Sequence, residues 1–325
     1  MTSLLKVTDL SVEYRVEGRK DPILALDDAS LDLPEAGYTL GIVGESGSGK
    51  TTLGMSIMRL IDRPGRITGG RVEYMGADVL RMNDEELRRF RWKEVAMVYQ
   101  SAMNSLNPVK SVSQPIVEVL QTHTKVPRSE AREKALELLS EVGIRRDRAD
   151  DFPFELSGGM RQRVVIALAL ALSPKLLIAD EPTSALDVVV QKQILELLRR
   201  EMKSKRLSLI FITHDISILS ELVQNVAVMY AGEIVERGPH DKVLFDPLHP
   251  YTEALLGSLV SLDSKTDIDR DDAAPPGRAL SLDGAGGNYC KYVRSCRYAF
   301  ERCVKERPVL TETENGRFVA CHKYS

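Results

Sequence analysis

The segment "GESGSGKT", from Gly44 to Thr51, constrains the fold of this chain more than any other stretch. It fits the pattern G-x-x-x-x-G-K-[ST], and it lies between the apolar run "YTLGIVG" and the helix-like "KTTLGMSIMRLI". Glycines let backbone N–H groups turn inward around phosphate oxygens, and a helix N-terminus adds a favourable dipole. The segment therefore predicts a buried strand, a phosphate-binding loop and a helix, as at the start of an α/β fold.

Two side chains of this loop have defined chemistry in such sites. Lys50 can place a charge on the outer phosphates, and the Thr51 hydroxyl can ligate Mg²⁺. An ordinary Gly/Ser-rich turn is the alternative, since average composition produces the pattern in roughly one in a hundred chains this long. The strand and helix on either side favour the phosphate site.

A second acidic element, "LLIADEP", agrees with this interpretation. It places Asp180 and Glu181 at the carboxyl end of an apolar strand, the edge where α/β sheets bind ligands. Asp180 then suits the Mg²⁺ shell, and Glu181 suits polarising a water that attacks the terminal phosphate. Strands often end in two solvated acids, but the phosphate loop makes the catalytic interpretation the better one.

The segment "ELSGGMRQR" raises a geometric problem. Ser157 can cap a helix that begins near Gly159, and the glycines expose N–H groups, so a second anion site is predicted. If this second site bound the same nucleotide in the same molecule, the helical insertion would have to fold back onto the phosphate-binding loop. A head-to-tail pair of chains is the simpler solution, and plain capping would account for the serine but not for both glycines.

Composition narrows the function classes. The chain has 325 residues and a net charge of −3, so it is long enough for one or two domains and gives no support to electrostatic binding of nucleic acid. We see no signal peptide, and the longest apolar run, "VVIALALAL", is less than half of a bilayer-spanning helix. We expect a chain that is soluble by itself, in a reducing compartment, with any membrane role provided by a partner.

Hydrophobic periodicity predicts the organisation of the chain. Apolar alternation in "LLKVTDLSVEY" and "ALDDASLDL" indicates antiparallel strands, whereas residues from about 101 to 143 have helical period. Later helix and strand segments alternate, which predicts a parallel sheet covered by helices, and "VAVMYAGEIVERG" predicts a hairpin around Gly232. The expected units are a nucleotide-binding domain at 1–240 with a helical insertion at about 101–157, a helical segment at 241–262, a linker at 263–289 and a Cys-rich tail at 290–325.

Taken in order, these motifs resemble those of the ATP-binding subunits of ABC transporters. "GESGSGKT" resembles Walker A, "LLIADE" Walker B, "LSGGM" the signature, "SALD" the D-loop and "THD" the switch-histidine segment, all in family order over residues 1 to about 240. The resemblance implies an α/β fold: a P-loop ABC ATPase core with an antiparallel β subdomain and a helical insertion, followed by a small Cys-rich extension.

The resemblance also implies roles for individual residues. Glu181, His214 and Gln100 would be catalytic, and Thr51, Gln100 and Asp180 would bind Mg²⁺. Considered alone, His214 would be an ordinary structural histidine and Tyr14 an ordinary strand aromatic. Their places in the ordered series of motifs favour roles in phosphate contact and adenine stacking. The residues implied to bind ATP are Tyr14, Gly44, Glu45, Ser46, Gly47, Ser48, Gly49, Lys50, Thr51, Thr52, Ser157, Gly158, Gly159 and Asp187.

Finer features are similar to the ATPases of oligopeptide/dipeptide importers. These features are "SAMNSLNPV", "HPYTEALL" and the Cys-rich tail, while "SGGM" resembles the first of their two nonidentical ATPase subunits. The implied assembly is a heterodimer with a sister ATPase, or a homodimer in isolation, on two permeases at the cytoplasmic face, fed by an extracytoplasmic binding protein. Members of this family import peptides, nickel or oligosaccharides, so the substrate stays open.

Two other functions remain alternatives. One is a soluble ABC ATPase that acts on nucleic acid or ribosomes, although such proteins usually carry two ATPase cores or a long coiled-coil insertion, and this chain has neither. The other is an ATPase whose tail acts mainly as a redox or iron sensor.

All four cysteines lie in the last 36 residues: Cys290, Cys296, Cys303 and Cys321. Their spacing, C-x5-C-x6-C-x17-C, fits neither the short pairs of structural zinc sites nor ferredoxins. On a continuous helix, Cys296 and Cys303 would be about 10 Å apart, too far for one zinc ion. Some members of this importer family carry a [4Fe–4S] cluster on such a tail, so we suspect one here; free thiols, or zinc with His322, are the alternatives.

Overall fold

A computed structural model of the chain describes residues 2–18, 21–100, 105–184, 186–263 and 288–325. The predicted linker at 263–289 therefore lies almost entirely outside the described residues, as does the beginning of the predicted helical insertion.

The strands of the described residues range from two to eleven residues in length. They are β1 (Leu5–Tyr14), β2 (Ile23–Leu33), β3 (Thr39–Val43), β4 (Gly65–Tyr74), β5 (Ala77–Asp78), β6 (Val95–Val98), β7 (Leu176–Asp180), β8 (Ser208–Ile212), β9 (Asn225–Tyr230), β10 (Glu233–Pro239), β11 (Thr311–Glu312) and β12 (Phe318–Val319).

The helices of the described residues range from four to eighteen residues in length. They are α1 (Lys50–Ile57), α2 (Asp84–Arg89), α3 (Gln114–Thr124), α4 (Arg128–Glu141), α5 (Gly158–Leu170), α6 (Val188–Lys205), α7 (Leu219–Leu222), α8 (His240–Phe245), α9 (Pro250–Asp263) and α10 (Glu301–Lys305).

Two sheets form the fold. The antiparallel sheet has the order β2-β1-β4-β5, and the main sheet has the order β11-β12-β10-β9-β3-β8-β7-β6. In the main sheet, β3 pairs in parallel with β8 and β9, and β7 pairs in parallel with β6 and β8. Because parallel strands end at the same edge, the loop after β3 and the acids after β7 lie on one side of the molecule.

The main sheet separates two hydrophobic cores. Adjacent residues of a strand alternate between them: Ile42 and Ile178 belong to the core under the antiparallel sheet, whereas Val43 and Leu177 belong to the core that includes helices α3–α6. Alternation of this kind follows from the two-residue period of a strand. Both faces of β3, β7 and β8 are buried, which explains why these strands are apolar except for Thr39, Asp180 and Ser208 at their ends.

The predicted architecture is confirmed. The antiparallel strands, the parallel sheet and the helices between them occur where the periodicity places them, and α4 buries Ala131, Ala135 and Leu139. The predicted hairpin joins β9 to β10 through Ala231 and Gly232, both with positive φ, as a tight two-residue turn requires.

The Cys-rich tail continues the main sheet. β12 pairs with β10 through Glu236 opposite Val319 and Arg237 opposite Phe318, and β11 pairs with β12. Only Glu301–Lys305 is helical near the cysteines, so Cys296 and Cys303 do not share a continuous helix. Within the part of the chain that the structure describes, no helix combines the length and apolar character needed to cross a bilayer.

Candidate active site

The loop after β3 needs its glycines. Gly44, Gly47 and Gly49 have φ of 150°, 81° and 103°. A Cβ at Gly44 would lie 2.2 Å from the carbonyl oxygen of Met229, and one at Gly49 would lie 2.5 Å from that of Ala25. Any side chain at these two positions would displace backbone, so the tight loop depends on glycine.

Lys50 lies inside this loop. Its side chain is almost buried, and its ammonium donates to the carbonyl oxygens of Gly44 and Glu45, each at 2.8 Å. Burial lowers the pKa of Lys50, while the charges of Glu181 and Asp180 act in the opposite direction. The cation is thus held between the phosphate loop and the two acids at the carboxyl end of β7, Asp180 and Glu181.

Asp180 is a buried carboxylate beside the Thr51 hydroxyl. Its exposed fraction is 1%, and neither carboxylate oxygen accepts a well-formed hydrogen bond from the described residues. Burial raises the pKa of Asp180, and the adjacent Thr51 hydroxyl offsets part of that rise. Carboxylate oxygens beside a hydroxyl are the donors that Mg²⁺ prefers, so these residues fit a magnesium ion.

Glu181 contacts the other two residues predicted to be catalytic, Gln100 and His214. Its Oε2 accepts a hydrogen bond of 2.8 Å from Gln100 Nε2, and its Oε1 lies 3.0 Å from His214 Nδ1. The Glu181 side chain is 15% exposed and that of His214 is 62% exposed. A carboxylate held at both oxygens, with one side open to solvent, can orient an attacking water.

The signature segment lies at the beginning of α5. Ser157 caps that helix by accepting from the N–H of Met160 at 3.3 Å, as the sequence predicts. A Cβ at Gly159 would lie 2.4 Å from Val190 Cγ1, so Gly159 lets α5 and α6 approach closely. Asp187 caps α6 in the same way, through the N–H of Val190 at 2.9 Å.

The other residues predicted to bind ATP lie in two places. Tyr14 is the last residue of β1, half-buried, with its ring against Gly65, where a Cβ would lie 2.6 Å from Tyr14 Cε1. Ser46 and Gly47 are exposed at the tip of the loop, whereas Thr52 lies in the first turn of α1.

Comparison with known proteins decides the family. The family profile described as "ABC transporter" matches residues 26–184, and that described as "Oligopeptide/dipeptide transporter, C-terminal region" matches residues 235–303. The dipeptide transport ATP-binding protein DppD of Escherichia coli is 42% identical over 328 residues, which are 98% of this chain and 96% of that protein. The chain belongs to the ATP-binding subunits of the oligopeptide/dipeptide family of ABC transporters.

Other relatives agree with this assignment. The oligopeptide transport ATP-binding protein OppD of Bacillus subtilis is 42% identical over 322 residues, which are 98% of this chain and 88% of that protein. Among solved structures, the ATP-binding cassette MJ0796 in its dimeric post-hydrolysis state with ADP and Pi matches with a TM-score of 0.65 and 28% identity, covering 73% of this chain and 98% of that one. CbiO1 from Clostridium perfringens matches with a TM-score of 0.63 and 27% identity, covering 81% of this chain and 96% of that one.

As a member of this family, the ABC subunit is an ATP hydrolase that uses ATP and Mg²⁺. The phosphate loop, Asp180 and the group around Glu181 lie at one edge of its main sheet, which is where such a site is expected.

The four cysteines of the ABC subunit line one cavity of about 20 Å³, together with His249 and His322. The N–H of Cys290 donates to the carbonyl oxygen of Cys303 at 2.8 Å. Burial raises the pKa of Cys290 to about 12 and also raises those of Cys296 and Cys321. Within the described ranges, no group of three or more His, Cys, Asp or Glu side chains is arranged to hold a metal ion.

One contact of the site was not predicted. The N–H of Glu45, in the phosphate loop, donates to the hydroxyl of Tyr251 in α9 at 3.0 Å. The sequence signal was present, since Tyr251 belongs to "HPYTEALL", but that motif indicates only the subfamily and not what its tyrosine contacts.

Proposed function

We propose that this ABC subunit powers the import of peptides across the cell membrane. The observation that carries the proposal is the match over 98% of the chain to ATP-binding proteins named for oligopeptide and dipeptide transport. The match of the C-terminal region to the oligopeptide/dipeptide profile adds independent support, because that region lies outside the general ATPase core.

The geometry supports Glu181 as the residue that orients the attacking water. Gln100 and His214 hold its two carboxylate oxygens, so the side chain has a fixed direction. Its backbone is also fixed, since the N–H of Glu181 donates to the carbonyl oxygen of Ile212 at 2.9 Å. His214 then has its exposed ring available for the terminal phosphate.

Phosphate binding is assigned to the loop and Lys50. The inward N–H groups of the loop would hold the phosphate oxygens, and the Lys50 ammonium would exchange its two carbonyl partners for the outer phosphates. Thr51, Asp180 and Gln100 would hold Mg²⁺, which neutralises charge on the phosphates when bound. Tyr14 would stack on the adenine.

The signature segment is assigned to the nucleotide of a second ATPase subunit. Ser157, Gly158 and Gly159 present the start of α5, and Asp187 lies beside them at the start of α6. Val188 and Val189 next to Asp187 are 67% and 66% exposed, and two adjacent exposed apolar side chains at this position suit contact with another chain. Because "SGGM" resembles the first of two nonidentical subunits, the partner we propose is a sister ATPase.

The helical insertion is assigned to the permeases. Phe152 and Phe154, just before the signature segment, stack with their ring centroids 5.6 Å apart, and Phe154 is 70% exposed. An exposed aromatic pair next to the site is suited to docking a membrane subunit and to transmitting closure. The assembly we propose is peripheral at the cytoplasmic face, with two permeases and an extracytoplasmic binding protein, and without nucleic acid.

Transport by the purified complex tests this proposal. The tagged subunit should co-purify with permeases and a sister ATPase, and proteoliposomes of that complex with its binding protein should take up labelled di- or oligopeptides when ATP is supplied. Uptake of nickel or oligosaccharide instead would overturn the peptide assignment. Recovery of ribosomal or DNA-repair proteins without permeases would overturn import altogether.

For the tail we propose a [4Fe–4S] cluster. Support comes from the convergence of all four cysteines on one cavity. A cluster of four irons is larger than one ion and takes four thiolates. Anaerobically purified protein should show broad visible absorbance and about four irons per chain; a colourless, iron-free preparation would leave free thiols or zinc.

A further inference from the structure

The phosphate loop is exposed at its tip and is anchored from the C-terminal half of the chain. Glu45, Ser46 and Gly47 face solvent. At the far end of the loop, the N–H of Gly232 in the β9–β10 hairpin donates to the carbonyl oxygen of Ser48 at 3.0 Å. At the near end, the N–H of Glu45 donates to the Tyr251 hydroxyl at 3.0 Å. These two contacts hold the loop from outside the β3–loop–α1 unit.

Tyr251 is itself held rigidly. It is 1% exposed, and its backbone N–H donates to His249 Nδ1 at 3.0 Å. Burial lowers the pKa of His249 to about 4, which keeps this imidazole neutral and able to accept. The Tyr251 hydroxyl is therefore a fixed point against which the loop can be aligned.

A tyrosine of the Cys-rich tail, Tyr292, packs against Tyr251. The Tyr292 ring lies 5.5 Å from that of Tyr251 in an edge-to-face arrangement, and Tyr230 lies 4.5 Å from Tyr251 and 5.3 Å from Tyr292. These three tyrosines come from β9, α9 and the tail, and Tyr292 stands between Cys290 and Cys296 in the sequence. Packing of this kind fixes ring orientation.

We propose that Tyr251 is a positioning residue for the ATP-binding loop and that Tyr292 of the Cys-rich tail holds Tyr251 in place. Through this pair the folded state of the tail influences ATP affinity. The inference depends on ATP binding by the family and is independent of the imported solute and of what the cysteines hold.

Tyr251→Phe tests the first part, because it keeps the ring and removes only the hydroxyl. The Kd for a fluorescent ATP analogue, measured with the full-length protein, should rise about fivefold, as for the loss of one hydrogen bond. The KM for ATP should rise with it while kcat at saturating ATP stays unchanged, and the melting temperature should hardly move. Tyr324→Phe, at an exposed tyrosine of the tail, is the matched control. A Kd within twofold of wild type, or a fall in melting temperature without a change in Kd, would overturn the role.

Tyr292 tests the second part. Tyr292→Leu keeps apolar volume but loses the edge-to-face contact, so it should raise the Kd by a similar factor. Tyr292→Phe keeps the ring, so its Kd should equal that of the wild type. The double variant with Tyr251→Phe should bind no more weakly than either single variant, since both act through one contact. Additive losses, or equal loss in Tyr292→Phe, would show that the tail does not act through Tyr251.

Discussion

Glu181 has a left-handed backbone conformation, with φ of 47°, at the end of β7. A non-glycine residue rarely adopts this conformation, and it is retained where surrounding contacts enforce it. Here the backbone bond to Ile212 and the side-chain contacts to Gln100 and His214 do so. The two adjacent acids have different environments: Asp180 is 1% exposed, whereas the Glu181 side chain is 15% exposed and is held by Gln100 and His214.

Glu181→Gln should separate binding from hydrolysis. The amide keeps the shape of the side chain but cannot take a proton, so ATP hydrolysis should fall at least about a hundredfold while ATP still binds. Steady-state phosphate release and equilibrium ATP binding measure the two quantities. Glu196→Gln, at an exposed position on α6, is the control and should leave both unchanged. Wild-type turnover in Glu181→Gln would sink the catalytic assignment.

Asp180→Asn should change stability and activity in opposite directions. Burial of the Asp180 carboxylate costs free energy in the absence of metal, and neither of its oxygens accepts a well-formed hydrogen bond from the described residues, so the neutral isostere should raise the melting temperature in EDTA by about 2 °C. With Mg²⁺ and ATP the wild type should have the higher melting temperature, and Asp180→Asn should lose most of its ATP hydrolysis. Differential scanning in the two buffers decides; a variant that is less stable in EDTA would show that Asp180 has a structural partner.

At the scale of elements, the start of α5 is positioned by its contact with the start of α6. Ser157 and Asp187 are the two N-caps, and Gly159 meets Val190 between them. The signature segment and Asp187, the last residue of the D-loop, therefore lie at the starts of two helices that contact each other. Capping could be predicted from the residue types, but the contact between the two helices could not, because it depends on how both pack on the sheet.

Gly159→Ala should disturb this helix pair. Its Cβ would lie 2.4 Å from Val190 Cγ1, so the helices must shift, and we expect a destabilisation of about 1–3 kcal/mol despite the better helix propensity of alanine. Gly257→Ala is the matched control in α9, where a Cβ would meet nothing within 4 Å, and it should be neutral or slightly stabilising. Urea unfolding of both variants measures the difference, and equal stabilities would contradict the packing argument.

At the scale of the whole molecule, a buried ion pair joins the tail to the core. Arg317 lies 3.3 Å from Glu236 and 2.9 Å from Asp246, and the Glu236 side chain is fully buried. Glu236 also accepts from the N–H groups of Leu248 and His249, both at 2.9 Å. One carboxylate of β10 thus holds the tail and the start of the segment that carries Tyr251.

Arg317→Ala should loosen the tail. It leaves the buried charge of Glu236 without its cation, and breaking such a pair costs about 3 kcal/mol. Thermal unfolding should shift downward, and limited proteolysis should remove the tail faster. Arg294→Ala, at an exposed arginine of the same tail, should leave both measurements unchanged. If the two variants behave alike, the buried pair does not hold the tail.

By itself the sequence determined the features that depend on neighbouring residues. Gly44, Gly47 and Gly49 give the loop its positive φ values, and the periods of two and 3.6 residues give strands and helices in their observed order. The hairpin at Gly232 and the cap at Ser157 were predictable for the same reason, since each is a local choice of backbone conformation.

Only the tertiary structure decided which distant side chains meet. Gln100 and Glu181 are 81 residues apart, and Glu45 and Tyr251 are 206 apart. Such contacts depend on sheet order and helix packing, which no local pattern specifies. The same holds for the cysteines: their spacing fits no compact ligand motif, yet the paths of α9, α10 and the final strands bring all four to one cavity, which is also lined by Tyr292, whose ring packs against Tyr251.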